Sequence, residues 1–177
     1  MRIGIDISQV VYEGTGVGNF MREMVRALLT IDQRNEYILF GSSLRLRHKL
    51  EQFYEAVKSP NVKLCIVPIP QTLLDLLWNR LHIISIEMFI GMVDVFWSSD
   101  WTQPPLRSAH GITTIHDLTV LRYPESFEGT NIVEVQKRRL AWAKKECRHF
   151  FCDSRVTAKD AKELMGIESS TIVYPGL

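Results

Sequence analysis

Short, continuous apolar runs alternate along the chain with longer stretches in which apolar residues recur every three or four positions. The short runs are typical of parallel strands covered on both faces, and the longer stretches are typical of amphipathic helices. The predicted strands comprise residues 3–7, 37–40, 62–67, 93–97, 112–115, 149–152 and 171–174, and the predicted helices comprise residues 17–29, 44–57, 72–90, 131–147 and 155–165. This order predicts an α/β fold: a doubly wound, Rossmann-like, mostly parallel seven-stranded sheet with helices on both faces.

The loops that leave the carboxyl ends of the strands are the expected location of a binding site. Ligands of open α/β sheets lie in the crevice outside those ends. Two long connections, residues 98–107 and 122–130, both follow such ends.

A glycine-rich loop, Gly14-Thr15-Gly16-Val17-Gly18, follows the first strand and opens the first helix. Glycines let a backbone approach a ligand closely, and a helix N-terminus presents unpaired N–H groups to a phosphate or another anion. The pattern is neither the dinucleotide-binding G-x-G-x-x-G nor the Gly-Lys-Ser/Thr of a P-loop. The alternative is a flexible connection that binds no ligand.

His116 and Asp117 end the fifth predicted strand, so both are expected to face the crevice. An imidazole there has the chemistry to bind a sugar hydroxyl or a developing charge. Asp117 is expected either to orient that ring or to cap the following turn. The alternative is a hydrogen-bonded core histidine followed by an aspartate that only begins the loop.

Two further polar positions lie at strand ends. Asp153 and Ser154 precede the helix over residues 155–165, and an N-cap is the favoured role there, ahead of a contact with ligand. Asp6 closes the first strand, and anchoring of the glycine-rich loop is its favoured role. No G-x-S-x-G motif is present, so the sequence gives no support for a hydrolase nucleophile.

The composition is that of an ordinary globular protein. The 21 Lys and Arg residues nearly balance 20 Asp and Glu residues, for a net charge of +1, and 46% of the residues are hydrophobic. These values exclude a disordered tail and a collagen-like repeat, and they give no argument for a nucleic-acid partner. Cys65, Cys147 and Cys152 have no C-x-x-C spacing, so free thiols in a reducing compartment are expected rather than a metal site.

A cytoplasmic location is expected, because the first residues have no signal-peptide pattern and charges interrupt the most apolar stretch, residues 73–93. Two basic stretches allow peripheral contact with the inner face of a membrane, although such stretches are usually only solvated. They comprise Arg45, Arg47, His48 and Lys49, and Lys137, Lys144, Lys145 and Arg148. The apolar helix over residues 72–90 is expected in the core, with a dimer face or a membrane contact as alternatives.

Four stretches, in this order, resemble the N-terminal, acceptor-side domain of family 4 (group 1) retaining glycosyltransferases, which have the two-domain GT-B fold. They are Ile3-Gly-Ile-Asp6, Gly14-Thr-Gly-Val-Gly18, Thr114-Ile-His-Asp-Leu118 with Tyr123-Pro124, and Val173-Tyr-Pro-Gly176. The resemblance spans residues 1–177 as a single Rossmann-like domain. The chain departs from the family in Phe96-Trp-Ser-Ser-Asp-Trp101, where Trp97 and Trp101 either stack on a sugar or fill space, and in Cys152-Asp-Ser-Arg155.

The resemblance implies transfer of a sugar, with retention, from a nucleotide-sugar donor to a glycan, lipid-linked or small-molecule acceptor. It implies that His116 stands at the reaction centre and that the loop from Gly14 to Gly18 lies near the donor diphosphate and the acceptor. Asp117 and Ser154 are expected with the binding residues. It further implies a donor-binding C-terminal domain outside this chain, an inactive isolated domain, and chemistry without a metal or any cofactor besides the nucleotide sugar.

Two other functions stay open. The first is a stand-alone nucleotide-binding module such as half of a dehydrogenase. The glycine pattern opposes it, as does the lack of an acidic residue after the second strand, where Gly41-Ser-Ser follows Phe40. The second is a non-catalytic interaction domain that uses the apolar helix as its face.

Overall fold

A single seven-stranded sheet organises the protein in the computed structural model, which describes residues 1–176; Leu177, the last residue of the expected domain, lies outside them. The strands are β1 (Arg2–Asp6), β2 (Glu36–Ser42), β3 (Val62–Val67), β4 (Val95–Ser98), β5 (His110–Ile115), β6 (Cys147–Cys152) and β7 (Thr171–Ile172). They lie in the order β3-β2-β1-β4-β5-β6-β7, and every neighbouring pair is parallel. The predicted doubly wound α/β fold is therefore confirmed.

Helices of very different lengths connect the strands. They are α1 (Gly16–Ile31), α2 (Arg47–Val57), α3 (Gln71–Leu74), α4 (Glu87–Ile90), α5 (Thr119–Arg122), α6 (Ile132–Glu146) and α7 (Arg155–Met165). Short 3-10 helices cover Ser8–Val11 and Pro124–Phe127, and a π-helix over Asp75–Arg80 continues α3. The connection predicted as a loop over residues 122–130 is thus partly helical.

The helices bury both faces of the sheet, because successive side chains of a strand point to opposite faces. On β2, Leu39 belongs to the same hydrophobic cluster as Val25 of α1. Its neighbour Phe40 belongs to a second cluster with Trp78 of the π-helix. A third cluster includes Ile115 and joins the last strands to α6 and α7. Two-sided coverage explains why the strands are continuous apolar runs in the sequence.

The prediction of a single helix over residues 72–90 is wrong. The π-helix ends at Arg80, and an irregular segment separates it from α4. Within that segment, His82 and Ile84 have φ values of 50° and 63°, outside the range of a right-handed helix. The His82 ring stacks on Trp142 of α6 at 3.6 Å, and its Nε2 lies 2.8 Å from Oε1 of Glu146. These contacts join the segment to α6.

The sequence predicts that this apolar stretch lies in the core, and the structure buries only part of it. Leu74, Trp78, Ile86 and Ile90 are buried, whereas Leu73, Leu76, Leu81, Ile83 and Met88 are exposed. No helix among residues 1–176 combines the length and the hydropathy that crossing a bilayer requires.

Candidate functional site

A cavity of about 850 Å³ lies at the carboxyl edge of the sheet, where β1 and β4 are neighbours. The chain runs from β1 towards β2 and β3 on one side, and from β4 towards β5 and β6 on the other. Loops that leave two such strands diverge, and the resulting crevice is the usual ligand site of an open α/β sheet. The volume falls within the range of about 300–1,000 Å³ that is typical of small-molecule pockets.

Residues from well-separated parts of the chain form the cavity wall. The loop after β1 and the start of α1 contribute Gln9, Tyr12, Thr15 and Val17. The helical segment after β3 contributes Gln71, Asp75, Leu76 and Arg80, the loop after β4 contributes Asp100 and Trp101, and α6 contributes Val135. Aromatic and aliphatic surfaces therefore alternate with a few polar groups, as in most ligand pockets.

Three polar side chains of the wall have hydrogen-bonding capacity to spare. Gln9 is only 3% exposed, yet its amide makes no hydrogen bond within residues 1–176, and neither does the carboxylate of Asp100. Oε1 of Gln71 is buried without a partner there. Asp75, by contrast, is occupied, because its carboxylate accepts from Asn79 Nδ2 at 3.0 Å and from Arg80 Nε at 3.1 Å.

The three glycines of the glycine-rich loop have three different structural roles. Gly14 has a φ of +77°, a conformation that side chains disfavour. A Cβ atom on Gly18 would lie 2.5 Å from the Tyr12 carbonyl oxygen, so this position needs glycine for close packing. A Cβ atom on Gly16 would meet nothing within 4 Å. Gly14 also has open space beside it, so Gly16 is the one glycine of the loop that neither its φ nor close packing requires.

Thr15 is the N-cap of α1. Its Oγ1 accepts from the Gly18 N–H at 3.1 Å and donates to the Tyr12 carbonyl at 2.9 Å. In the described part of the chain, the N–H groups of Gly16 and Val17 have no partner, as is usual in the first turn of a helix. Since Thr15 and Val17 line the cavity, this helix end lies at the crevice.

His116 and Asp153 form a hydrogen-bonded pair at the same sheet edge. The register of β5 and β6 sets Ile115 opposite Cys152, so the residues that follow them are neighbours. His116 Nδ1 lies 2.6 Å from Asp153 Oδ2, and the two side chains are 10% and 18% exposed. The Phe20 ring of α1 packs edge-on against the imidazole, with 5.0 Å between ring centroids. No other residue among 1–176 hydrogen-bonds Nε2, so that nitrogen is available to a ligand.

Asp117 caps a turn and does not orient the imidazole. It is exposed, and its Oδ1 accepts from the Thr119 N–H at 2.8 Å. Of the two roles that the sequence left open for it, the structure has the cap, and Asp153 is the partner of His116.

Ser154 is the N-cap of α7, the role that the sequence favoured. Its Oγ accepts from the Thr157 N–H at 3.0 Å, and the Thr157 hydroxyl donates to the His116 carbonyl at 3.1 Å. Ser154 therefore supports the end of β5 through Thr157.

Asp6 does not bind the glycine-rich loop. Its Oδ1 accepts from the Ser8 N–H at 2.9 Å, so it anchors the 3-10 helix that carries Gln9. Burial raises the pKa of Asp6, although hydrogen bonds from Ser8 oppose that shift. Asp6 therefore anchors the 3-10 helix that precedes the glycine-rich loop, and not the loop itself as predicted.

The two tryptophans after β4 differ in role. Trp97 is buried and donates from Nε1 to Thr114 Oγ1 at 3.1 Å, so it fills the core. Trp101 is 36% exposed and lines the cavity. Of the two, only Trp101 is available for stacking on a ligand.

The cavity and the His116–Asp153 pair are neighbours but not one pocket. Val17 lines the cavity, and Phe20, three residues later on α1, contacts His116. Among the predicted site residues, Thr15 and Val17 line the cavity, whereas His116, Asp117 and Ser154 do not. Residues 17–20 of α1 therefore connect the two sites.

Sequence reasoning missed Gln9 and Asp100 and did not pair Asp153 with His116. Gln9 belongs to no motif, and its position in the wall follows only from the 3-10 helix after β1. Asp153 had a usable signal, because it follows the carboxyl end of β6 just as His116 follows that of β5. Asp153 is therefore predictable on the same ground as His116, since each follows the carboxyl end of a strand.

Among residues 1–176, no three or more His, Cys, Asp or Glu side chains cluster in a way that could hold a metal ion. Comparison with family models, curated proteins and solved structures gave no match to the chain.

Proposed function

We propose that the chain is the acceptor-side domain of a retaining, GT-B-type glycosyltransferase, which transfers a sugar from a nucleotide sugar to a glycan, lipid-linked or small-molecule acceptor. The observation that carries the proposal is the His116–Asp153 pair, held beside a large cavity at the carboxyl edge of a doubly wound sheet. The four ordered motifs described above support it.

His116 is the proposed catalytic residue. Because Asp153 accepts from Nδ1, the neutral ring presents an Nε2 lone pair that can accept a hydrogen bond from a hydroxyl of the transferred sugar. Phe20 restricts rotation of the ring. A buried carboxylate behind a histidine is a common way to fix both ring orientation and tautomer.

The glycine-rich loop is the proposed contact for the donor diphosphate. Among residues 1–176 the N–H groups of Gly16 and Val17 have no partner, and the positive end of the α1 dipole favours an anion there. Such preorganised donors stabilise the charge that develops on a departing diphosphate. The nucleotide itself would bind mainly to a second domain outside these residues, so the isolated chain is expected to be inactive.

A stand-alone dehydrogenase-type module is the weaker alternative. Dinucleotide-binding sheets place an acidic side chain after the second strand, where it binds the ribose. Here β2 ends at Ser42, whose hydroxyl donates to the Ile69 carbonyl at 2.6 Å. No carboxylate occupies that position.

Ligand-observed NMR on the chain, with nucleotide sugars, NAD and simple glycosides, tests the proposal. We expect glycosides to bind, nucleotide sugars to bind weakly and NAD not to bind. Tight NAD binding would instead favour the dehydrogenase alternative. In the longer enzyme that the proposal requires, His116→Ala should lower the transfer rate by about 100-fold or more. His48→Ala, at an exposed position on α2, is the matched control. Transfer at the parent rate by the His116 variant would contradict the proposal.

A further inference from the structure

We infer that the cavity binds an amphipathic acceptor: an uncharged glycoside whose aglycone is a hydrocarbon chain. For the transfer step, this inference rests on the proposed function. Binding of such a glycoside does not depend on transfer, so the two can fail separately.

The unpaired polar groups of the wall match sugar hydroxyls. The Gln9 amide has two donors and an acceptor, and the Asp100 carboxylate only accepts. Gln9 is 3% exposed, and its amide makes no hydrogen bond to another residue among 1–176, so it is free to bond the hydroxyls of a ligand. Oε1 of Gln71, also in the wall, is buried without a partner among the described residues, and a ligand hydroxyl would remove the cost of that unpaired acceptor. An amide and a carboxylate together can pair with hydroxyls that both donate and accept.

Two exposed aromatic rings border these groups. Tyr12 is 42% exposed and Trp101 is 36% exposed, and both line the cavity. Rings of this kind offer an apolar face and a polar edge. The C–H face of a pyranose can therefore lie on a ring while its hydroxyls reach Gln9 and Asp100.

The side-chain charges around Asp100 do not favour a phosphorylated acceptor there, whereas the start of α1 is the proposed contact for the donor diphosphate. Arg80 is the only Lys or Arg among the described residues of the wall, and its charge is balanced by Asp75, whose carboxylate pairs with its Nε at 3.1 Å. The Asp100 carboxylate has no salt-bridge partner in the described residues. An anionic group beside Asp100 would meet repulsion, whereas an uncharged sugar would not.

The aliphatic wall continues out of the cavity. Val17, Leu76 and Val135 line it, and Leu73 lies one turn before Leu76 on the same helical segment. Leu73 and Leu76 are each 41% exposed. A hydrocarbon chain that leaves the sugar could follow these side chains outward. Each methylene buried in this way strengthens binding by about fourfold at most.

A series of alkyl glucosides tests the inference by calorimetry below micellar concentrations. Methyl, butyl and hexyl β-glucosides form the series, and the galactosides and mannosides of the same lengths cover the other configurations. We expect affinity to rise at least about tenfold from methyl to hexyl for the preferred sugar. Equal affinity along every series, or no binding of any hexyl glycoside at millimolar concentration, would each overturn the inference.

Two variants separate the sugar contact from the chain contact. Asp100→Asn should weaken every member of the series by a similar factor, and Glu128→Gln, an exposed charge removal elsewhere, should not. Leu76→Ser should abolish the dependence on chain length and leave methyl glycoside binding unchanged. Leu44→Ser, at a 58% exposed leucine outside the cavity, is its control. A parent-like length dependence in Leu76→Ser would contradict the proposed chain contact.

The natural source of this chemistry is either a membrane glycolipid or a soluble alkyl glycoside. Phosphatidylcholine vesicles with and without an uncharged diacyl glycolipid distinguish them by co-sedimentation. Retention on glycolipid vesicles alone identifies a lipid acceptor. Binding of hexyl glycoside without vesicle retention identifies a soluble one. Both results support the cavity assignment, whereas NAD binding or an unaffected His116 variant bears on the proposed function alone.

Discussion

Nδ1 of His116 lies 2.6 Å from Oδ2 of Asp153, although 37 residues separate them in the chain. The pairing of Ile115 with Cys152 brings them together, because the residues after two paired positions leave adjacent parallel strands side by side. The geometry is therefore set by strand register. The tautomer of the His116 imidazole can therefore be tested without a substrate.

We predict that neutral His116 carries its proton on Nδ1, since the Asp153 carboxylate can only accept a hydrogen bond. Long-range ¹H–¹⁵N NMR correlation spectra should show a protonated Nδ1 and an unprotonated Nε2. Asp153→Ala should raise the population with the proton on Nε2, and the spectrum of exposed His48 should not change. A parent His116 that carries its proton on Nε2 would contradict the proposed acceptor role of that nitrogen.

Gly18 and Gly16 should respond oppositely to alanine. A Cβ on Gly18 would lie 2.5 Å from the Tyr12 carbonyl oxygen and 2.8 Å from Thr15 Oγ1, so Gly18→Ala should destabilise the protein by about 1–3 kcal/mol. Gly16→Ala meets no neighbour and restricts the unfolded chain, so it should leave stability unchanged or raise it by up to about 1 kcal/mol. Urea unfolding of both variants measures the difference, and equal effects would show that the loop repacks.

The strands could be predicted from the sequence because burial on both faces of the sheet produces continuous runs of apolar residues. Phe40 and Leu39 are both fully buried although they face opposite sides of the sheet, so the run around them is apolar throughout. The parallel arrangement and the position of the crevice followed from the alternation of strands and helices. His116 followed from its place at the end of a strand.

The rest depends on contacts between distant parts of the chain. The break after Arg80 is fixed by Glu146 and Trp142, which lie some 60 residues beyond His82, so no local pattern reports it. Gln9 enters the cavity because the turn that carries it is held to β2, where the Ser42 N–H donates to Ser8 Oγ at 2.9 Å. In both cases tertiary hydrogen bonds override or add to local preference.

Asp32 should stabilise the fold at neutral pH and lose that effect in acid. Its carboxylate accepts from the Tyr37 hydroxyl at 2.6 Å, from Asn35 Nδ2 and from the Arg34 N–H at 2.9 Å. These hydrogen bonds, that of Tyr37 first, hold the pKa of Asp32 well below its ordinary value of 3.8. The folded state therefore favours the ionised form, which stabilises it fully above that ordinary value and progressively less as the pH falls below it.

Urea unfolding of the parent and of Asp32→Asn between pH 7 and pH 2.5 measures this contribution. The variant should be less stable at pH 7, and the two free energies of unfolding should converge as the pH falls below about 4. Glu128→Gln removes an exposed carboxylate and should follow the parent curve. A constant difference between the parent and Asp32→Asn across this range would show that the carboxylate charge contributes nothing.

The burial of Tyr37 predicts a second change in stability, at alkaline pH. Burial first, and then the hydrogen bond and charge of Asp32, raise the pKa of the Tyr37 phenol above its ordinary value of 10.0. Because the folded state disfavours the phenolate, stability should fall as the pH rises above 10. Tyr37→Phe should be less stable than the parent at pH 7 and should lose less stability in alkali. If Tyr37→Phe loses as much stability in alkali as the parent does, then groups other than Tyr37 cause that loss.

His82 should be the residue that keeps residues 81–86 out of a helix. Its Nδ1 lies 2.9 Å from the Trp78 carbonyl and its Nε2 lies 2.8 Å from Glu146 Oε1, while the ring stacks on Trp142. His82→Ala removes the stacked ring and the contacts of both ring nitrogens, at least one of which is a hydrogen bond, so it should cost about 1–3 kcal/mol of unfolding free energy. Hydrogen exchange should accelerate at the Ile83 amide, which donates to the Leu77 carbonyl, before it does so in the strands. Exposed His48→Ala is the control, and a His82 variant within about 0.5 kcal/mol of the parent would mean that the backbone holds this conformation without the ring.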